Sequence, residues 1–576
     1  MKLSALFLVF SVFCSSFYRG ASGQDILIIT NANVYTMSST QKAEGFVVQS
    51  GKIVDVDRSE VLLERWSGDN AKVIDMKNRT IIPGLIDAHV HLMRLGIQRA
   101  QANLRGTRSV EEVRARLREY ISRSNQTFGD NLWVRGNGWD QTEWPGGQFP
   151  TAADLDADPM LAAVPIMLLR IDNHAQWVNT RVLKMMEAKY INLTDIKVEG
   201  GEVIKSPGLG VFTDQAMSLL APLVPPVSEA EKFDALDIAL KEIHSFGITG
   251  VHDAGVVPDD LAFYKKAVDA GKFQIRNYAM VSCPNRNDYC GDRLNITAFE
   301  HGFLIMRSVK LYVDGALGSW GAAMIQPYTD DPSKPGNLLI SERNFTEQVA
   351  KWMERGLQVN AHCIGDLANH IAVNGFEENL RNRTQGELTA ERRLNDKYRL
   401  RIEHAQILTQ EDIQRVGKLG IIPSMQPTHA TSDMNFAETR VGPDRIKGAY
   451  AWRSFLNVSV PALPLGSDFP VESANPLLGF YAAVTRLTVN GTSPQGDNGW
   501  YPEQKLTRAE ALKGFTRDAA YASFQEEKVG SIEPEKVADF VVLSQDIMEV
   551  PREEILNTKV LATVLNGTVV YGNLTL

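Results

Sequence analysis

Two histidines one residue apart, His89 and His91, close the largely apolar run Ile81-Ile82-Pro83-Gly84-Leu85-Ile86-Asp87-Ala88-His89-Val90-His91-Leu92. Alternate residues of a strand share a face, so both imidazoles point the same way. Two such donors converging from one buried strand suit a divalent metal such as zinc. An isolated His-x-His is as readily a pair of core or surface histidines, and two ligands do not complete a site. The remaining donors must come from elsewhere in the chain.

Further along, β-like runs recur, and each ends in polar groups. They are Ile248-Thr249-Gly250-Val251-His252-Asp253, Val309-Lys310-Leu311-Tyr312-Val313-Asp314, Gln358-Val359-Asn360-Ala361-His362, Arg399-Leu400-Arg401-Ile402-Glu403-His404, Gly420-Ile421-Ile422-Pro423-Ser424-Met425-Gln426 and Leu463-Pro464-Leu465-Gly466-Ser467-Asp468. Lys310 stands inside an apolar strand. His362 and His404 taken singly are as readily structural, and Asp468 is equally a helix cap. Between these runs lie amphipathic helices. The clearest spans 109–123, with Val110, Val113, Leu117 and Ile121 at helical spacing and Glu111-Glu112 in its first turn.

Strands alternating with helices over 81–516 predict an α/β fold, a (β/α)8 TIM-like barrel with a polar mouth at its C-terminal strand ends. Residues 131–210 are less regular, rich in Gly, Trp and Pro, and read as an insertion over that mouth. Short β runs fill 24–80 and 517–576, with Asn566-Gly567 as a hairpin turn. Neither end has enough strands for a covered core, so both are expected to pair into one small β-sandwich.

The stretch Pro83–Leu92 resembles the first-strand signature of the amidohydrolase superfamily of metal-dependent hydrolases. Gly136-Asn137-Gly138-Trp139-Asp140 and Asp172-Asn173-His174-Ala175-Gln176-Trp177 are similar to motifs of the N-substituted formamide deformylase-like branch, amidohydrolase family 3. The resemblance spans nearly the whole mature chain and also implies a sandwich built from both chain ends. It implies metal ligands at His89 and His91 (first strand), Lys310 (fourth), His362 and His404 (fifth and sixth) and Asp468 (eighth). Asp468 would also be catalytic, taking the proton of the attacking water. A buried neutral lysine can add carbon dioxide, and the carbamate can bridge two metals about 3.5–4 Å apart. The alternative for Lys310 is an ordinary strand lysine paired to Asp314, with one metal. The expected cofactor is thus zinc or another divalent metal, one or two ions. Trp139, His174, His252, Trp320 and His429 are candidate substrate-binding residues, although a Trp is more often core than ligand contact. His244, His301 and His370 have no mouth placement and read as structural or surface. The activity implied is hydrolysis of a non-peptide carbon–nitrogen bond, in an amide or N-substituted formamide. Ester, lactone or phosphoester hydrolysis, or deamination, is the alternative within the fold. A non-catalytic signalling or binding protein would be expected to have lost a ligand, and none is lost.

Composition bounds the partners. A formal net charge of -9 with no Lys/Arg run argues against nucleic acid, and a small-molecule substrate fits better. A homodimer is the candidate assembly. Residues 1–23 combine a basic start, a short apolar core and small residues, the pattern of a secretory signal peptide, with an uncleaved anchor as the alternative. Asn-x-Ser/Thr sequons stand at Asn78, Asn125, Asn192, Asn295, Asn344, Asn382, Asn457, Asn490, Asn566 and Asn573. The expected location is the secretory pathway, either secreted or in the endoplasmic reticulum lumen. In such an oxidising compartment Cys283 and Cys290 would close a small disulfide loop, leaving Cys363 as a buried free thiol.

Overall fold

The computed structural model describes residues 26–575 apart from 69, 125, 172–174, 190–192, 194, 197, 199–200, 286–287 and 386. The expected signal segment lies outside the described residues. Seven parallel strands follow one another around a barrel in chain order: Leu85–Val90, Ile248–Val256, Arg276–Val281, Leu304–Tyr312, Gln358–Cys363, Arg401–His404 and Ile422–Ser424. Parallel bridges from Met425 to Leu465 and from Val90 to Phe469 seat residues 463–469 as the eighth member and close the ring. The third strand, Arg276–Val281, lacks the polar C-terminal residue that marks the others, which is why the sequence does not announce it. Among the described residues no helix is long and apolar enough to cross a membrane.

The chain ends meet in the expected sandwich. One sheet holds Lys52–Asp57, Gly45–Gln49, Ile26–Thr30 and Ala71–Asp75. The other sets Phe540–Leu543 antiparallel to Thr80–Pro83, with Val541 opposite Ile82. Their inner faces share one core, in which the rings of Phe46 and Phe540 meet edge-on with centroids 5.0 Å apart. Thr80–Pro83 runs directly into the first barrel strand, so the sandwich anchors the strand that carries His89. A second tie is Arg276, whose Nε lies 2.6 Å from the carboxylate of Asp539.

The insertion is longer than its irregular composition suggests. Ala102–Asn103 pairs with Val134–Trp139, and the sheet continues through Ile166–Arg170, Ala175–Val178, Val211–Asp214 and Gly201–Ile204. The helix Val110–Arg123 therefore belongs to it. Val113 and Leu117 of that helix pack on Leu104, Val134 and Trp139 rather than on the barrel. Ser109 caps this helix by accepting from the Glu112 N–H, as its sequence requires.

Candidate metal centre

The site forms where the eighth segment meets the first strand. Asp87 accepts from the Ser467 N–H at 2.9 Å, the Ser467 hydroxyl at 2.6 Å and the His89 N–H at 3.2 Å. Burial pushes its carboxyl up to about 7, against these hydrogen bonds. The Asp468 N–H donates to the His89 carbonyl at 2.7 Å, and the His91 N–H donates to the Phe469 carbonyl at 2.9 Å. Gly466 allows this approach, because a Cβ there would lie 2.5 Å from the His89 nitrogen. Asp468 (φ 61) and His404 (φ 72) both occupy left-handed backbone, which aspartate and histidine adopt more readily than most residues.

These contacts bring donor atoms to a point. Asp468 Oδ1 lies 3.1 Å from His91 Nε2 and 3.6 Å from His89 Nε2. Four donors at 2.0–2.1 Å around a tetrahedral zinc stand about 3.3 Å from one another. The three atoms therefore fit a cation. A second group, His404, His429 and Asp468, also holds its ligand atoms within 4.8 Å of one another. His429 Nε2 faces the other carboxylate oxygen, Asp468 Oδ2, at 3.7 Å. Among the described residues, Asp468 Oδ1, His362 Nε2 and His429 Nε2 are buried and find no hydrogen-bond partner, a costly state for polar atoms unless a ligand engages them. Burial drives the His89 and His404 imidazoles well below the usual histidine range and His362 to about 3, so each presents a neutral, ligating ring. Burial also pushes the Asp468 carboxyl up, but the neighbouring imidazoles, His91 and His429 among them, outweigh it and hold the group ionised.

Lys310 is buried with its Nζ 3.4 Å from His89 Nε2. Among the described residues it has no carboxylate at ion-pair distance. Asp314 is occupied instead by the backbone N–H groups of Ala323, Ile364 and Gly365. Burial lowers the Lys310 ammonium to about 8. His362 stands at the edge of the cluster, its ring centroid 4.4 Å from that of His404 and its Nε2 3.8 Å from Asp314.

The expected substrate contacts fare differently. His429 reaches the cluster. Trp139 does not line a pocket: it is fully buried beside Trp144 and Trp177 in the insertion's own core, donating to the Leu168 carbonyl. His252 lies inside the barrel, bonded to Arg401 at 2.9 Å, because inward residues of a small barrel fill its interior. Trp320 stands in the loop after the fourth strand with its ring engaged by Arg440 at 3.4 Å and Lys334 at 4.0 Å. His174 lies outside the described residues. Cys283 and Cys290 form a disulfide with Cα atoms 5.7 Å apart. Cys363 is a buried free thiol, which burial pushes far above the range where a thiolate forms.

The supporting residues were not singled out from sequence. Glu403 meets His89 Nδ1, Gln426 meets His404 Nδ1 at 2.8 Å, and Asp253, held by the Tyr264 hydroxyl at 2.7 Å, accepts the Leu92 N–H. Arg401 and Glu403 are charged residues at i and i+2 of a strand, and that spacing on a buried face was the available signal.

A closed parallel barrel with histidines and an aspartate converging at its strand ends defines a metal-dependent hydrolase. A sequence model of the amidohydrolase family matches residues 72–571, and the chain belongs to that family. It is 31% identical over 560 residues to Protein LONG AFTER FAR-RED 3 of Arabidopsis thaliana, covering 95% of this chain and 91% of that one. It is 25% identical over 563 residues to the N-substituted formamide deformylase of Arthrobacter pascens, covering 95% and 98%. An uncharacterized metal-dependent hydrolase from Pyrococcus furiosus superposes with a TM-score of 0.74 at 25% identity, covering 91% of this chain and all of that one.

Proposed function

We propose that this amidohydrolase cleaves a non-peptide carbon–nitrogen bond in a small amide or N-substituted formamide. The observation that carries the reading is the division of Asp468, with Oδ1 among the histidine donors and Oδ2 turned toward His429. A bound divalent ion supplies a nucleophile at neutral pH and polarises a carbonyl. His89, His91 and Asp468 Oδ1 would hold it. Asp468 Oδ2 accepts the proton of the attacking water and passes it to the departing nitrogen. The likeness to a formamide deformylase along most of the chain supports a carbon–nitrogen substrate.

Lys310, with no carboxylate partner among the described residues and an ammonium lowered to about 8, is placed to become a carbamate. Its neutral amine would attack carbon dioxide and release one proton, leaving an anionic carbamate that would add a further donor beside the second group of His404, His429 and Asp468, with His362 at its edge. Metal analysis of the purified protein with and without bicarbonate, followed by a panel of amides, formamides, esters and lactones, tests the reading. Stoichiometric metal and turnover of amides or formamides are expected, and Lys310→Ala should drop a two-metal protein to one. Turnover of esters or lactones alone would overturn the carbon–nitrogen assignment.

The signal-like start and the sequons support passage through the secretory pathway. Of the eight sequon asparagines among the described residues, all but the partly buried Asn566 are exposed. Treatment with an N-glycosidase should increase the gel mobility of the expressed protein.

A further inference from the structure

Beneath the donor atoms, the barrel interior holds a charge pair that the proposed reaction does not use. Arg401 and Glu403 point inward from the sixth strand, and both side chains are wholly buried. Small barrels ordinarily fill this space with branched apolar residues. A carboxylate taken out of water is costly unless paired and hydrogen-bonded. Here Arg401 Nη2 donates to Glu403 Oε2 at 3.1 Å, while Arg401 Nε stands 2.6 Å from Oε1 with an N–H axis too bent for a hydrogen bond. The guanidinium is itself fixed from three sides. It donates to the Ala88 carbonyl of the first strand and to the Ser424 hydroxyl of the seventh at 2.8 Å, and it meets His252 Nδ1 of the second at 2.9 Å. Glu403 is therefore held on a support that spans the barrel.

What Glu403 faces is His89. Its Oε2 lies 2.5 Å from His89 Nδ1. An ionised carboxylate only accepts hydrogen bonds, so Nδ1 carries the ring proton and Nε2 keeps the lone pair. Nε2 is the atom directed at Asp468 Oδ1 and Lys310 Nζ. The corresponding nitrogen of His404 faces the neutral amide oxygen of Gln426. Glu403 brings negative charge to His89, where it raises the basicity of the opposite nitrogen.

We propose that Glu403, braced by Arg401, is the positioning residue of the metal centre, setting the tautomer and ring direction of His89. The inference rests on the metal-centre reading above. Loss of such a partner weakens metal affinity by about 10–100-fold. Glu403→Gln preserves shape and removes the charge. The double variant Arg401→Gln/Glu403→Gln removes the charge without leaving a lone buried guanidinium, and it decides the matter if the single variant does not fold. Each is compared with wild type by zinc affinity in chelator competition, by the zinc-induced rise in Tm, and by the visible spectrum of the cobalt-loaded protein.

The expected result is zinc binding weakened about 10–100-fold, a smaller zinc-induced rise in Tm, and an altered cobalt spectrum. Were Glu403 only the counterion of Arg401, Tm would fall equally with and without zinc, and affinity and spectrum would match wild type. That result overturns the proposal and leaves the metal centre standing. A wild-type protein that takes up no zinc or cobalt overturns the metal-centre reading itself.

Discussion

Asp468 combines two roles through two oxygens, and the roles separate on substitution. Asp468→Asn keeps an oxygen donor beside His89 and His91 but removes the proton acceptor. General-base catalysis is typically worth about 10²–10⁴-fold, so kcat on any identified substrate should fall by that order while part of the metal is retained. His89→Ala should act on metal content instead, because a missing imidazole is poorly replaced by water. Metal analysis and single-turnover kinetics on both variants check the split, and full turnover by Asp468→Asn would refute the role given to Oδ2.

At the scale of elements, the centre depends on how closely the eighth segment approaches the first strand. Gly466→Ala puts a methyl 2.5 Å from the His89 nitrogen and 2.7 Å from Asp87 Oδ1. Neither the backbone nor the thrice-bonded carboxylate yields easily, so a loss of about 1–3 kcal/mol in stability is expected, with weaker metal binding. Denaturant unfolding and metal titration measure both. Unchanged affinity would mean that the approach does not position the donors.

A second element-scale effect concerns pH. His244, at the end of the helix Glu229–Ser245, holds the Gln274 carbonyl through Nε2 at 2.8 Å, and its own carbonyl accepts from Thr563 of the sandwich at 2.6 Å. Burial lowers its imidazole to about 4, against 6.5 for an ordinary histidine. The unfolded chain therefore takes up the proton first as pH falls. Stability is fully present above pH 6.5 and is lost between 6.5 and about 4, by about 3 kcal/mol from this group. His244→Gln should flatten that limb in denaturant unfolding followed against pH, and an unchanged slope would count against the assignment.

For the whole molecule, the two ends of the chain act as one body. Deleting residues 527–576 removes Phe540–Leu543, four wholly buried side chains next to Ile81 and Ile82. At about 1.5–3 kcal/mol each, they contribute an amount comparable with the entire 5–15 kcal/mol stability of a typical domain. The truncated chain is expected to lose cooperative unfolding and metal binding together. A truncation that melts like the full protein would show that the sandwich does not support the barrel.

Much of this architecture was legible before any coordinates. Periodicity marked most of the barrel strands, and His89, His91, His404 and Asp468 stood at strand ends where the fold converges them. The third strand escaped because Arg276–Val281 carries no polar terminus. The insertion's start was misplaced because an amphipathic helix looks the same whether its apolar face meets a barrel or a separate sheet. Trp139 and His252, both buried away from the mouth, show the same limit, since residue type reports what a side chain can do but not which surface it meets. The sequence by itself determined the strand order and the donor types, because both follow from local pattern. Only tertiary structure decided that Glu403 stands behind His89, that His429 joins Asp468 and that Lys310 has no carboxylate partner among the described residues. Those relations depend on strands far apart in the chain closing into one ring.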